Sequence, residues 1–476
     1  RRNFYVLASS LLSDSKYVLR AQDNVIFNAD VAFGTTGGDA AKFVSVEAGE
    51  AIRSEPGVTS ISTAGGALSL NAGTTIDIGA AINTNGGVLT INSAGAAALS
   101  GGVTGVGSSL VKQGAGELSL SGSNTYSGGT TIRVGTLRTA AASALPEGGA
   151  VSLEGSAVLN LDDKTQGIGN LSGASGTRIA LGAAGTGGLA VNQTSDDTFA
   201  GQITGSGPAS GTAALSKTGA GVLTLSGANS FTGLTQVSEG ALRVTASNAL
   251  AAASSLEVTG TGTFEIDGVA LNSLASLTLT GGLAGLETLA GRGTASYGGT
   301  VTMVGHARME TAGASDTLTL GGQIDGTMSP PDAAPILQKV GGGVLVLDGT
   351  GSLFYPQILA GTLRATSDGV LPNTETLVGP GATLDIANTT QSIAHLSGGD
   401  AASRVLLGAS GQLTVNQGIE NAYAGSISGG AASVFAKAGN ATLHLSGASP
   451  DYFGVTRVQA GTLSVSGSGN VLGSGG

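Results

Sequence analysis

The stretch LVKQGAGELSLSGSNTYSGGTTIRVGTLR, residues 110–138, holds two leucines, Leu118 and Leu120, one residue apart and bracketed by Gly116 and Gly122. That alternation puts two apolar side chains on one face of a short strand, and glycine supplies the positive φ that tight corners require. Three further segments align with it: LSKTGAGVLTLSGANSFTGLTQVSEGALR at 215–243, LQKVGGGVLVLDGTGSLFYPQILAGTLR at 337–364 and FAKAGNATLHLSGASPDYFGVTRVQAGTLS at 435–464. Their frame is a Lys, a Gly two residues later, a Leu-x-Leu pair, a turn, an aromatic and a Gly-x-Leu close. The positions that define it are Lys112, Gly114, Leu118, Leu120 and Tyr126, then Lys217, Gly219, Leu223, Leu225 and Phe231. The later copies contribute Lys339, Gly341, Leu345 and Leu347, then Lys437, Gly439, Leu443 and Leu445.

The blocks between these units repeat as well. VLNLDDKTQGIGNLSG at 158–173 matches TLDIANTTQSIAHLSG at 383–398, and GLAVNQTSDDTFAGQITG at 188–205 matches QLTVNQGIENAYAGSISG at 412–429. The chain therefore holds a super-repeat of about 225 residues, counted from Leu159 to Leu384. A five-residue strand cannot bury its apolar side alone, so units of this kind must stack. The expected fold is all-β, a right-handed parallel β-helix rod. At roughly 20 to 25 residues per coil it would have on the order of 20 coils and a length of about 100 Å. Helical spacing is scarce: 139–145 and 246–253 are too short to stand as helices and are expected to be strands running into a corner or loop.

Composition agrees. The 476 residues include 83 Gly, no Cys and no Trp, with aromatics at 4% and charged residues at 11%. Aromatic-rich globular cores are excluded, and a hydrophobic content of 41% excludes disorder. A formal net charge of −11 without a basic cluster argues against nucleic acid and against an anionic membrane surface. Without cysteine there is no disulfide framework and no thiolate metal site. No segment has the apolar run of a membrane helix. Arg1-Arg2-Asn3-Phe4-Tyr5-Val6-Leu7 has the look of a twin-arginine export signal, yet the apolar run stops by Leu12, and the chain is expected to begin inside a larger precursor.

The frame Lys-x-Gly-x-Gly-x-Leu-x-Leu-Ser-Gly-x-Asn-x-Tyr/Phe-x-Gly, closed by Gly-Thr/Ala-Leu-Arg, resembles the autotransporter-associated β-strand repeat, also called the passenger-associated transport repeat. It is clearest from Lys112 to Arg138 and from Lys217 to Arg243. In the third copy Gly351-Ser352-Leu353-Phe354 replaces the Asn-x-aromatic turn, and in the fourth Gly439-Asn440 departs from Gly-x-Gly. Residues 65–93, GGALSLNAGTTIDIGAAINTNGGVLTINS, are similar instead to the strands of large hemagglutinin-type adhesins. These resemblances imply a hemagglutinin-like segment over 1–108 and a transport-repeat solenoid over 109–476, forming one continuous rod. They further imply a type V secreted passenger, on the surface of a Gram-negative bacterium or released from it, whose repeats assist folding during export. Its partners would be an outer-membrane β-barrel translocator, fused or separate, and a host-cell or surface glycan or protein receptor, with no nucleic acid and no direct membrane insertion.

Chemistry-bearing residues are sparse. His306, His395 and His444 stand in separate segments, and no metal or cofactor is expected. No Gly-x-Ser-x-Gly elbow and no Gly-Lys of a phosphate loop occurs. The best acid candidates are Asp162-Asp163, Asp196-Asp197 and Glu265 with Asp267, and they are expected to lie in solvated turns and on outer faces. The repeated Lys112, Lys217, Lys339 and Lys437, with Arg138, Arg243 and Arg364, are expected to keep exposed strands soluble and unpaired. Tyr126, Phe231, Phe354 and Tyr452 or Phe453 are expected to pin each turn to its coil, with a glycan-stacking platform as the sharper alternative. The function expected is a structural and adhesive stalk, not an enzyme. The alternatives are the spine of a protease or lipase passenger whose catalytic domain lies outside the chain, and a polysaccharide-cleaving β-helix.

Overall fold

The structure is a computed structural model that describes residues 3–7, 16–34, 43–208, 212–251, 254–272, 276–281, 287–327, 335–467 and 471–472. Arg1-Arg2 and 8–12 of the export-signal stretch lie outside the described residues, as do 252–253 of the Ala-rich stretch and most of the Gly/Ser-rich end. The described elements are all strands, and every ladder between them is parallel. Parallel pairing without helical crossovers requires that the chain coil, each strand lying beside the strand one turn earlier, which defines a β-solenoid. The chain divides into two compact units, Arg1–Thr235 with Ala249–Ala251, and Gln236–Asn248 with Ala252–Gly476.

Within the first unit the coil is most regular where the sequence is most periodic. Leu68–Ala72, Ile76–Ile78 and Ala81–Asn83 make one turn, and Val88–Ser93, Ala97–Leu99 and Val103–Thr104 make the next. Leu68 sits beside Leu89, and Leu89 beside Leu110, so the turn is 21 residues. The alternation reads directly as inside and outside: Leu68, Leu70, Leu89 and Ile91 are buried, while Ser69, Asn71 and Thr90 face outward. Aliphatic side chains fill this narrow interior at the density of a packed core, where aromatic rings on every strand would overpack it.

The second unit coils in the same way, with Glu287–Arg292, Ala307–Glu310, Ile336–Val340, Tyr355–Ile358 and Glu375–Val378 stacked in one ladder. The stretches 139–145 and 246–251 contain no helix. Thr136–Thr139 ends at a corner that buries Ala144 and Leu145, and Ala241–Val244 leads into one that buries Ala249 and Leu250. Among the described residues no helix is long and apolar enough to cross a membrane.

The first transport-type copy supplies two rungs that stack on one another. Ser109–Gln113 pairs with Thr130–Ile132, and Glu117–Leu120 with Thr136–Thr139. Copies three and four repeat the plan, with Lys339 beside Ile358 and Leu345 beside Leu363, and with Lys437 beside Val458 and Leu443 beside Leu463. In these three copies the close of the repeat therefore covers its own opening strands.

Candidate functional site

The repeat positions converge on one device, a buried lysine that binds the corner of its own coil. Lys112, Lys217, Lys339 and Lys437 are all wholly buried. This corrects the expectation that they hold exposed strands apart. The reason is strand alternation: Lys112 follows Leu110 by two residues and so shares its inward face. Leu215, Leu337 and Phe435 stand in the same relation to their lysines and are buried too. The apolar-x-Lys spacing was thus the signal that placed these side chains inside.

The ammonium of Lys112 donates to the carbonyl oxygens of Gln113 at 2.7 Å, Gly114 at 2.7 Å and Val134 at 3.2 Å. Lys339 donates to Val340, Gly341 and Ala360 at 2.9, 2.7 and 3.0 Å, and Lys437 to Ala438, Gly439 and Ala460 at 2.8, 2.8 and 3.0 Å. Lys217 donates to Thr218 and Gly219 at 2.9 and 2.6 Å. Two carbonyls come from the corner after the lysine and, in these three copies, the third from the rung above. An ammonium has three donors and no acceptor, so the site satisfies it completely. The glycine two residues on has φ near the left-handed region in every copy, +78° at Gly114, +75° at Gly219, +81° at Gly341 and +75° at Gly439. That conformation turns successive carbonyls back toward the ammonium. Burial still opposes the charge, pulling Lys112 and Lys339 down to about 8 and Lys437 below its ordinary value.

The turn that follows is held by an asparagine in the first two copies and by other groups in the third and fourth. The backbone N–H of Val103 donates to Asn124 Oδ1 at 2.7 Å, and that of Ile203 to Asn229 Oδ1 at 2.7 Å. Each asparagine then donates onward at 2.6 Å, Asn124 to the Ala144 carbonyl and Asn229 to that of Ala249. Where the third copy lacks the asparagine, Ile324 N–H meets the Thr350 carbonyl, and in the fourth Ile427 N–H meets Ser449 Oγ. Tyr126, Phe231, Phe354 and Tyr452 fill the space beneath, all buried, while Phe453 is exposed. Tyr126 and Tyr452 also hydrogen-bond their own turn, the first with Thr130 Oγ1 and the second to the Val455 carbonyl. An exposed stacking platform is not what these four rings form.

The super-repeat conserves backbone shape across different residues. Asp162 and Asp163 have φ of 50° and 61°, and their counterparts Ala387 and Asn388 have 47° and 69°. Asp163 Oδ1 accepts from Ala184 N–H, and Asn388 Oδ1 accepts from Ala409 and Ser410. Gln166 and Gln391, which the repeat also aligns, each accept a backbone N–H at 3.0 Å, from Leu145 and Leu371 respectively. These glutamines went unnoticed in the sequence, although the shared Thr-Gln dipeptide at 165–166 and 390–391 marks them.

Most of the other charges singled out from the sequence are locally engaged, while Asp267 ends the strand Thr263–Asp267 half-buried. Arg138 pairs with Asp162 at 2.7 Å and Arg364 with Asp385 at 2.8 Å, while Glu265 is clasped between Arg243 and Arg292. The carboxylate of Glu265 is almost fully covered, although Phe264 and Ile266 take the interior positions of that strand. Asp196 accepts from Val222 N–H and Asp197 from Gln193 and Ser195. His306 and His395 stand on outer faces, and His444 meets Glu420 at 2.9 Å. The described residues hold no cluster of His, Asp and Glu able to bind a metal ion.

Residues 110–138, 215–244 and 435–465 match the passenger-associated transport repeat family. The third copy, 337–364, lies outside those matches, in keeping with its altered turn. The chain is also similar to the adhesin BmaC autotransporter of Brucella suis biovar 1 (strain 1330), at 35% identity over 248 residues. That alignment covers 50% of this chain, which spans only 6% of the length of that relative. No solved structure matches the chain. The repeats and the relative together support an autotransporter passenger with transport repeats, secreted from or carried on the surface of a Gram-negative cell.

Proposed function

We propose that this chain is part of the adhesive β-helical stalk of a type V secreted protein, with binding spread over its outer faces and no catalytic centre of its own. The observation that carries this reading is the similarity to an autotransporter adhesin in a chain whose transport repeats are self-stacking, lysine-capped solenoid rungs. The stretch 1–108 is the hemagglutinin-like part and 109–476 the transport-repeat array. Within the array Lys112, Lys217, Lys339 and Lys437, with the glycine two residues after each, act as folding positions. A capped repeat closes on itself without waiting for distant chain, which suits a polypeptide that reaches the cell surface gradually through a fused or separate outer-membrane translocator.

Surface display tests the reading. The chain fused to an autotransporter barrel in a non-adherent Gram-negative host should raise attachment to epithelial cells, extracellular-matrix proteins or abiotic surfaces above that of the barrel alone. Efficient display without any gain in attachment would overturn it.

A further inference from the structure

An open groove of about 350 Å³ crosses the outer face of the second unit, lined by His306, Ile336, Tyr355, Gln357, Glu375 and Leu377. Its walls are two columns of outward residues on successive rungs. Ile336 lies beside Tyr355, Gln338 beside Gln357, Gln357 beside Leu377, and Glu375 beside His395. Rungs are about 4.8 Å apart, so the Tyr355 ring and the Glu375 carboxylate are neighbours along the axis.

The polar groups are oriented by bonds that leave hydrogen-bonding capacity facing outward. Nδ1 of His306 accepts the backbone N–H of Ile336 at 3.0 Å, which places the imidazole proton on Nε2 and makes that nitrogen a donor. Gln357 Oε1 accepts from Gln338 at 3.4 Å, leaving its amide N–H groups to donate. One oxygen of Glu375 accepts from Ser397 at 2.7 Å and from Asn421 at 3.5 Å, which fixes the carboxylate in place as an acceptor. Tyr355 adds an aromatic ring at the surface.

From this set we propose that the groove binds an uncharged oligosaccharide. Two donors, one fixed acceptor and an aromatic ring, spread over three rung spacings or about 14 Å, match the hydroxyls and apolar C–H faces of successive pyranose rings. The volume suits a short run of sugar rings. Anionic sugars are disfavoured. The fixed charge on the lining is the Glu375 carboxylate, the Arg308 guanidinium nearby is turned to Glu310 at 3.8 Å, and the whole chain carries −11. The inference rests on the adhesive reading and deepens it by naming a ligand class and a place.

The test is a binding titration of the purified chain against neutral hexasaccharides, β-1,4-linked glucose, α-1,4-linked glucose and β-1,4-linked N-acetylglucosamine, with a heparin hexasaccharide as the anionic arm. At least one neutral chain should bind, with Y355A and E375A each weakening it tenfold or more, Y355F retaining it, and all three variants keeping the parent's melting temperature. Binding of none of the neutral sugars, binding of heparin alone, or neutral binding indifferent to both Y355A and E375A would overturn the proposal. Displaying E375A on cells separates the two readings: attachment that persists while the titration is blank removes the groove and leaves the adhesive stalk standing.

Discussion

The ammonium of Lys112 donates to the carbonyl oxygen of Val134, 22 residues later and one rung higher, at 3.2 Å. Lys339 and Lys437 make the same reach to Ala360 and Ala460. A single side chain thus ties the opening of a repeat to its close, and the repeat's most recognisable residue is an internal fastener.

Replacing Lys112 by Met keeps the volume and leaves three carbonyls without their donor. Burying unsatisfied acceptors costs about 1 to 3 kcal/mol each where water cannot reach them. Lys112→Met should therefore lower stability by about 3 kcal/mol in urea titration, whereas Lys16→Met at an exposed position should stay within about 0.5 kcal/mol. Equal effects of the two would show that the cap contributes nothing.

Protonation of the caps gives a second expectation. Lys112 and Lys339 titrate at about 8 in the folded chain because burial disfavours the ammonium. In the unfolded chain they titrate near pH ~10.4. Below about 8 both states hold the proton and the contribution is constant; between the two values the unfolded chain binds more protons, so stability rises with pH. The parent should gain on Lys112→Met, and separately on Lys339→Met, as the pH is raised from about 8 to about 10. Urea midpoints that draw together over that window would contradict the assignment.

Two glycines with the same φ of +78° separate conformational cost from crowding. At Gly148 a Cβ would have open space, while at Gly114 it would run into the backbone carbonyl of Ser93 on the previous rung. Gly148→Ala should cost about 1 to 2 kcal/mol for the left-handed backbone alone. Gly114→Ala should cost clearly more, and calorimetric melting of the two variants orders them.

Glu265 lies between two arginines that retain partial access to water. Glu265→Gln removes the charge that both face, but each guanidinium can rehydrate, so the expected loss is about 1 to 2 kcal/mol, short of a fully buried pair. Because the partners are half-exposed, 1 M salt should shrink the difference between parent and variant. A loss that salt leaves untouched would point to packing as its origin.

Much of the architecture was legible along the chain. The Leu118-x-Leu120 spacing and its three echoes announced inward strand faces, and all eight leucines of those pairs are buried. The bracketing glycines announced corners, and the 225-residue echo announced that Asp162-Asp163 and Ala387-Asn388 share a place, as their common left-handed backbone shows. What misled was chemistry read one residue at a time: lysine is rarely buried, so four lysines in strands read as a solvated face.

The sequence by itself determined the local alternation, the corners and the hierarchy of repeats, because each depends on neighbours a few residues apart. Only the tertiary structure decided what the charged and polar residues do. Carbonyls from two rungs had to be brought around one ammonium before a buried lysine became tolerable. Likewise, His306, Tyr355 and Glu375 share a surface only because coiling places distant turns about 4.8 Å apart.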